Sequence, residues 1–314
     1  MGLILLDHLP TGYQEKYQPI IYNSNSFLAG NNDLPQIHFY WVEKNHRAAY
    51  AHVAFSIEES EASSPLNAPF GGVEYSDELS LSDLFAFLIF LEKELQNKAI
   101  KYIKLSQAPG SYGGQIKLDE VLSDLKYQKK SRRIYHGLPI DETDAKDKMS
   151  LMEQRRLKKC VKADFNFKSL PSPKLSEVYN AVATWRDLKD KPLSMEWKVL
   201  SHARKSTPGM YLPFGVYDQD KLIAATIAIK VNSKVLYHFY PAHCPEYNNY
   251  SPMVMLVNGL YEWCRTHQID LLDLGTSYVN NRLNQSLVRF KKHLGGEESQ
   301  AIVYRKVLSS RQIK

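Results

Sequence analysis

Residues 251–277, SPMVMLVNGLYEWCRTHQIDLLDLGTS, decide the fold. Ser251 suits a helix N-cap and Pro252 the first helical position. Met253, Leu256, Val257, Leu260 and Cys264 then recur at helical spacing, and the helix passes almost directly into IDLLDL, residues 269–274, an apolar run of strand length. A helix feeding straight into a strand is a building unit of layered α/β sheets.

Upstream of this passage the pattern is that of a meander. Residues 211–217 and 222–231 form two strands turning at Asp218-Gln219-Asp220, with a third strand over 234–240. A helix over 176–188 precedes them, with Val178, Ala181, Val182, Trp185 and Leu188 on one face. Residues 151–162 form a basic amphipathic stretch, and Pro and Ser break the chain at 169–174.

The first half of the chain repeats the scheme. Residues 36–42 and 47–57 are rich in β-branched and aromatic side chains and are split by Glu43-Lys44-Asn45-His46, a hairpin signal. Ser80-Leu81-Ser82-Asp83 is a helix start, followed by Leu84, Phe85, Leu88, Leu91 and Leu95 and then by the strand IKYIKL, residues 100–105. At a constant offset of 169 residues Leu84 falls on Met253, Leu88 on Val257, Leu91 on Leu260, Ile100 on Ile269 and Leu105 on Leu274. An internal duplication accounts for that match. The expected fold is α/β (α+β) in two domains, residues 1–140 and 141–314, each a mixed, largely antiparallel sheet flanked by helices. The divide is placed in the polar run GLPIDETDAKDK, residues 137–148.

Composition fits two cores and excludes several classes. The chain has 314 residues, 44% hydrophobic and 24% charged, with three cysteines, an odd count that points to free thiols in a reducing, cytoplasmic setting. The opening MGLILLDHLP is too short and too poor in basic flanks for a secretion signal, and the longest apolar stretch, residues 84–91, falls well short of the ~20 needed to span a bilayer. No membrane insertion is expected. P-loop, dinucleotide and Gly-x-Ser-x-Gly fingerprints are missing. His243, Cys244, Cys264 and His267 fit no common zinc spacing, so no metal is expected. Residues 126–168, bounded by Lys126 and Lys168, hold 13 Lys/Arg against 6 Asp/Glu, either a phosphate-facing surface or a solvated connector.

The order of elements, together with Asp273-x-Gly275 at the end of a strand and Phe290-Lys291-x-x-x-Gly295 after it, resembles GNAT acyltransferases, and within them Fem-type peptidoglycan aminoacyltransferases and related FemAB-like acetyltransferase domains. The resemblance is densest over residues 211–296, and Ala68-Pro-Phe-Gly-Gly72 extends it weakly over the first half. It implies transfer of an acyl or aminoacyl group to an amine, from acyl-CoA or aminoacyl-tRNA, with the donor in a gap where the strands at 235–240 and 269–274 splay apart. It further implies an amine-bearing small molecule or a peptide or peptidoglycan precursor as acceptor, with tRNA reaching the Lys126 to Lys168 segment. One departure bears on the donor: CoA-using members carry a glycine-rich loop before the helix, where this chain has HCPEYNNY, residues 243–250, with Asn248 and Asn249 as the residues most tolerant of left-handed backbone.

Acyl transfer to an amine needs a base, an acid for the leaving group and donors for the oxyanion. His238 and Tyr240 alternate along one strand, and Asp273 and Tyr278 lie on or just past its neighbour, which makes His238 or Asp273 the candidate base and Tyr240 or Tyr278 the candidate acid. Tyr237, Phe239, Asn248, Ser251 and Lys291 are the candidate donor-binding residues. Each also has a plain structural role open to it, since aromatic residues at strand spacing fill cores. A GNAT-fold module that binds without turnover is the competing reading.

Overall fold

The computed structural model describes residues 3–31, 34–279 and 281–308; Met1 and Gly2 of the N-terminal run lie outside them. The chain forms two compact units, residues 1–133 with 300–314, and residues 134–299.

In the first unit Gln36–Glu43 and Ala48–Glu58 pair antiparallel as expected, flanked by Leu3–Leu6 on one side and Glu61–Ser64 on the other. Glu61–Ser64 pairs parallel with Tyr102–Ser106, which pairs antiparallel with Glu297–Val307. The Leu81–Asn97 helix starts where its cap predicts: the Ser80 hydroxyl accepts from the Asp83 backbone N–H at 3.0 Å. Its apolar stripe, Leu84, Phe87, Leu88, Leu91 and Leu95, packs on Trp41, Val53, Phe55 and Leu105.

In the second unit the strand order is Gln128–Pro139 (its residues from 134 on), Leu271–Thr276, Val235–His243, Lys221–Lys230, Tyr211–Asp218 and Phe165–Ser169. Only Val235–His243 and Leu271–Thr276 run parallel; the other pairings are antiparallel. The Pro252–Thr266 helix covers one face, burying Leu256, Val257, Leu260 and Cys264 against Phe214, Ala228 and Leu236, while Leu175–Asp187 packs on the same three central strands. The mixed, largely antiparallel sheet with helices is thus present in each unit.

The duplication runs further than the sequence match. Helix Leu81–Asn97, strand Tyr102–Ser106, helix Gln115–Asp124 and strand Gln128–Pro139 recur in order as Pro252–Thr266, Leu271–Thr276, Gln285–His293 and Glu297–Val307, each starting 169 to 171 residues later. The last strands are traded between repeats. Gln128–Pro139 follows the first unit's helices yet pairs Leu271 with Pro139 in the second; Glu297–Val307 follows the second unit's helices yet pairs Tyr102 with Val307 in the first. Residues 137–139, expected to open a polar connector, are accordingly strand, with Leu138 fully buried.

Ile302, Tyr304 and Leu308 belong to the first unit's core. Ending the chain at Ser299 would remove about 5–8 kcal/mol of apolar burial, comparable to the whole stability of a domain. Hydrogen exchange on that truncated chain is expected to show lost protection along Ala48–Glu58 and Leu81–Asn97.

Candidate active site

The parallel ladder between Val235–His243 and Leu271–Thr276 has three pairs, Val235 with Leu271, Leu236 with Leu272 and Tyr237 with Asp273. Both strands continue past the last pair, one bound to Lys221–Lys230 and the other to Gln128–Pro139, so they diverge and open a wedge. The matching place in the first unit is closed. There the ladder runs on from Ser64 and Leu105 to a bridge between Gly71 and Gln107, and the Gln107 amide fills the gap by bonding both the N–H and the C=O of Val73 at 2.9 Å. Gly72, at φ +77°, is needed for that approach, because a Cβ there would meet the Gln107 side chain at 2.0 Å. The glycine-rich run at 68–72 therefore seals one wedge, and the second unit keeps the other.

Lys291, on the Gln285–His293 helix, is the main polar contact at the edge of the wedge. Its ammonium donates to the carbonyls of Gly275 at 2.7 Å and Thr276 at 2.8 Å and is only 6% exposed. Asp273, 1% exposed, accepts the Gly275 backbone N–H at 2.6 Å. Gly275 has φ +75°, a left-handed geometry in which a Cβ would meet the Tyr237 ring at 2.9 Å. The Asp-x-Gly and Phe-Lys motifs, sixteen residues apart, are therefore one contact. Burial pushes the Lys291 ammonium well below the usual lysine range, and the Asp273 charge opposes that shift.

Two histidines complete the buried polar group. His238 is held down to about 3 by burial and then by the Lys291 charge, and His136 to about 4 by the same two causes, so both are neutral imidazoles at pH 7. The Nδ1 of His136 lies 3.3 Å from the Ser277 hydroxyl. Neither His136 nor His238 has a hydrogen-bond partner at Nε2 among the described residues. His136 and Ser277 were not singled out in the sequence, and no motif marks them.

The other expected site residues fall elsewhere. A bulge opposite Ile227 and Ala228 makes Tyr240 pair with Ile227 and His238 with Ala228, leaving Phe239 as the extra residue. His238 thus shares the face of Ala228 and the Pro252–Thr266 helix, whereas Tyr240 lies on the opposite face, sensing Arg186 and Tyr179 of the Leu175–Asp187 helix. The expectation that His238 and Tyr240 point into one cavity is corrected. Tyr237, Phe239 and Tyr240 instead form a ring cluster, with Phe239 and Tyr240 stacked at 3.8 Å and the Tyr240 phenol 2.6 Å from the Ser194 hydroxyl. Tyr278 sits half-buried in a short hairpin with Leu283.

Ser251 is the N-cap residue of the Pro252–Thr266 helix and Pro252 opens it, as expected, but Ser251 is left-handed, φ +56°, and its side chain makes no capping hydrogen bond. Asn248 is right-handed, and its side-chain oxygen lies 2.7 Å from Nε2 of His243. The Lys159 ammonium and the Cys160 thiol of the Leu151–Lys162 helix donate to the carbonyls of Asn249 and Tyr250. The basic segment is divided between the units, and within it Lys129, Lys148 and Arg156 pair with Asp119, Asp141 and Glu153. Among the described residues no group of three or more His, Cys, Asp or Glu is placed to hold a metal.

Lys291→Ala would leave the Gly275 and Thr276 carbonyls without their ammonium donor and cost about 1–3 kcal/mol in urea unfolding. Acid should weaken the second unit as well. His136 and His238 titrate below the ordinary 6.5, so the unfolded chain binds more protons between that value and about 4, and stability falls as pH drops through the window. By pH 5 the loss is about 2 kcal/mol per histidine; thermal melts of His238→Gln should show a shallower acid slope.

Residues 154–291, all within the unit that holds the open wedge, match the family described as acetyltransferase (GNAT) domain. No curated protein matches the chain in sequence. Among solved structures, FemX superposes with a TM-score of 0.72 at 11% identity, over 92% of this chain and 93% of its own. L-PGS from Bacillus licheniformis gives 0.58 at 10% identity over 92% and 88%. The C-terminal domain assigned to a lysylphosphatidylglycerol synthetase of Agrobacterium fabrum gives 0.57 at 8% over 90% and 86%. Such identities speak for the fold alone: residues 154–291 match a GNAT acetyltransferase domain, and the chain as a whole shares the fold of FemX.

Proposed function

We propose that the second unit is an N-acyltransferase that moves an acyl or aminoacyl group to an amine. The wedge carries this reading: beyond Tyr237 and Asp273 the parallel ladder stops while both strands run on, which leaves the Val235–His243 edge past Tyr237 without a neighbouring strand and open to an amide-bearing donor. In this reading the backbone at Tyr237 and Phe239 lines the donor, and Ser251 and Asn248 sit by its anionic end at the N-terminus of the Pro252–Thr266 helix, where free N–H groups and the dipole favour negative charge. Lys291 acts at one remove by fixing the Gly275 and Thr276 carbonyls.

Tyr240 suits the acid. Burial raises its phenol above the ordinary range, so it stays protonated, and Ser194 orients it. Asp273 and His238 are less suited to be the base, since one is bound to Gly275 and the basicity of the other is suppressed by burial and then by the Lys291 charge. Tyr278, half-buried on its hairpin, is the second candidate acid.

Acyl-CoA is the donor that the GNAT fold favours, with an amine-bearing small molecule, peptide or peptidoglycan precursor as acceptor. Aminoacyl-tRNA is the alternative donor, and the internal pairing of Lys129, Lys148 and Arg156 weighs against it. A cytoplasmic setting accords with three free, buried cysteines, and no described helix is long and apolar enough to cross a membrane. A binding module without turnover is the second reading, favoured by the glycine-free approach to the helix and its left-handed Ser251.

The two part in one experiment. Protein incubated with acetyl-CoA or with charged tRNA and a panel of primary amines, followed by mass spectrometry, should yield an N-acylated product from one donor. Tyr240→Phe should cut kcat about 10²-fold with donor Kd unchanged. Donor binding without product from either would favour the binding module, and no binding of either would end both readings.

A further inference from the structure

The outer edge of the first unit's sheet carries a groove of about 440 Å³ that acyl transfer does not use. Leu3–Leu6 is the last strand on that side: it pairs with Gln36–Glu43, and among the described residues no strand pairs on its other edge. Its sequence, Leu-Ile-Leu-Leu, has none of the charges or prolines that usually blunt such an edge.

Four consecutive residues of this run, Ile4 to Asp7, line the groove. Side chains alternate across a strand, and here Leu5 packs on the helix-covered core while Ile4 and Leu6 join Tyr17 and Tyr40 on the opposite face. Ile4 and Leu6 therefore meet the groove through the edge of the strand, where backbone N–H and C=O groups point outward. Phe39 and Trp41 of the neighbouring strand form the floor. The far wall is one stripe of the Leu81–Asn97 helix and its C-cap, Phe90, Glu94 and Lys98. An open strand edge facing a helix is a setting in which an extended peptide adds itself to a sheet.

The wall selects the guest. Phe90 is 48% exposed, an apolar surface that a partner would cover. Glu94 and Lys98 form no ion pair among the described residues; the Glu94 carboxylate accepts from the Asn97 amide at 3.4 Å, and Asp7, bonded to His8, senses the Lys98 charge. Four residues of helix rise about 6 Å. Two residues of strand advance about 6.4–6.8 Å. Alternate side chains of a strand laid in the groove would thus meet Phe90, Glu94 and Lys98 in turn, and the complementary set is apolar, basic, acidic. We infer that the groove binds an extended peptide segment of a partner protein, paired to the free edge of Leu3–Leu6, with those three side chains at alternate positions against the helix. The site belongs to the first unit and is read by binding, so it holds or fails independently of acyl transfer in the second.

Fluorescence anisotropy of the full chain with the labelled peptide Thr-Val-Thr-Lys-Thr-Glu-Thr, and with its reverse order, tests this. One order should bind saturably, and exchanging its Lys and Glu should weaken binding about tenfold. N-methylation of one set of alternate residues should abolish binding, and methylation of the other set should spare it, because only one set faces the strand edge. Phe90→Asp, on the exposed side of the helix, should abolish binding, and Glu94→Lys should favour a peptide with Glu in place of Lys. No saturable binding of either order, equal binding of the charge-exchanged peptide, or indifference to both methylation patterns would overturn the assignment, the last marking a pocket for apolar groups alone.

Discussion

One buried ammonium holds the edge of the wedge. Lys291 bonds the carbonyls of Gly275 and Thr276, the residues at which their strand stops following its parallel neighbour. Burying a lysine is costly, and two carbonyls together with the Asp273 charge offset that cost. The neighbouring chemistry follows from it. Burial, and after it the Lys291 charge, keeps His136 and His238 neutral, and Asp273 is committed to the Gly275 N–H. The polar group beside the wedge is thereby a fixture that shapes backbone, and the acid proposed for acyl transfer, Tyr240 with its Ser194 partner, lies on the other face.

The two halves of the molecule show how one frame can be finished in two ways. Each has a hairpin, a third strand and a strand parallel to it after a long helix. In the first the gap is stitched by Gln107 to the backbone of Val73; in the second Thr276 occupies the corresponding place and its carbonyl is drawn to Lys291. A single side chain able to bond both N–H and C=O is enough to close what is otherwise a cleft.

Much of this was legible in the chain. The helix-to-strand passages were, because a stripe such as Leu84, Leu88 and Leu91 has only one reading at period 3.6, and Ser80 marks its start. The motifs around Asp273 and Lys291 were visible as text, yet nothing local says that they touch. His238 and Tyr240 misled because a bulge at Phe239 breaks the period of two, and without a glycine or a known partner strand it leaves no mark. Gln128–Pro139 was hidden for another reason: residues 128–133 are basic and face water, and only 135–138 are buried, so half the strand reads as a charged connector.

The traded final strands bear on how the protein is made. Residues 3–133 leave the ribosome first, yet their sheet lacks its closing strand until Glu297–Val307 has been synthesised. At about 5–20 residues per second that wait is on the order of ten seconds or more, during which Tyr102–Ser106 presents an open edge. The second unit, whose last strand was translated ahead of its own helices, has no such delay. The half of the protein that begins first is the half that can finish only last.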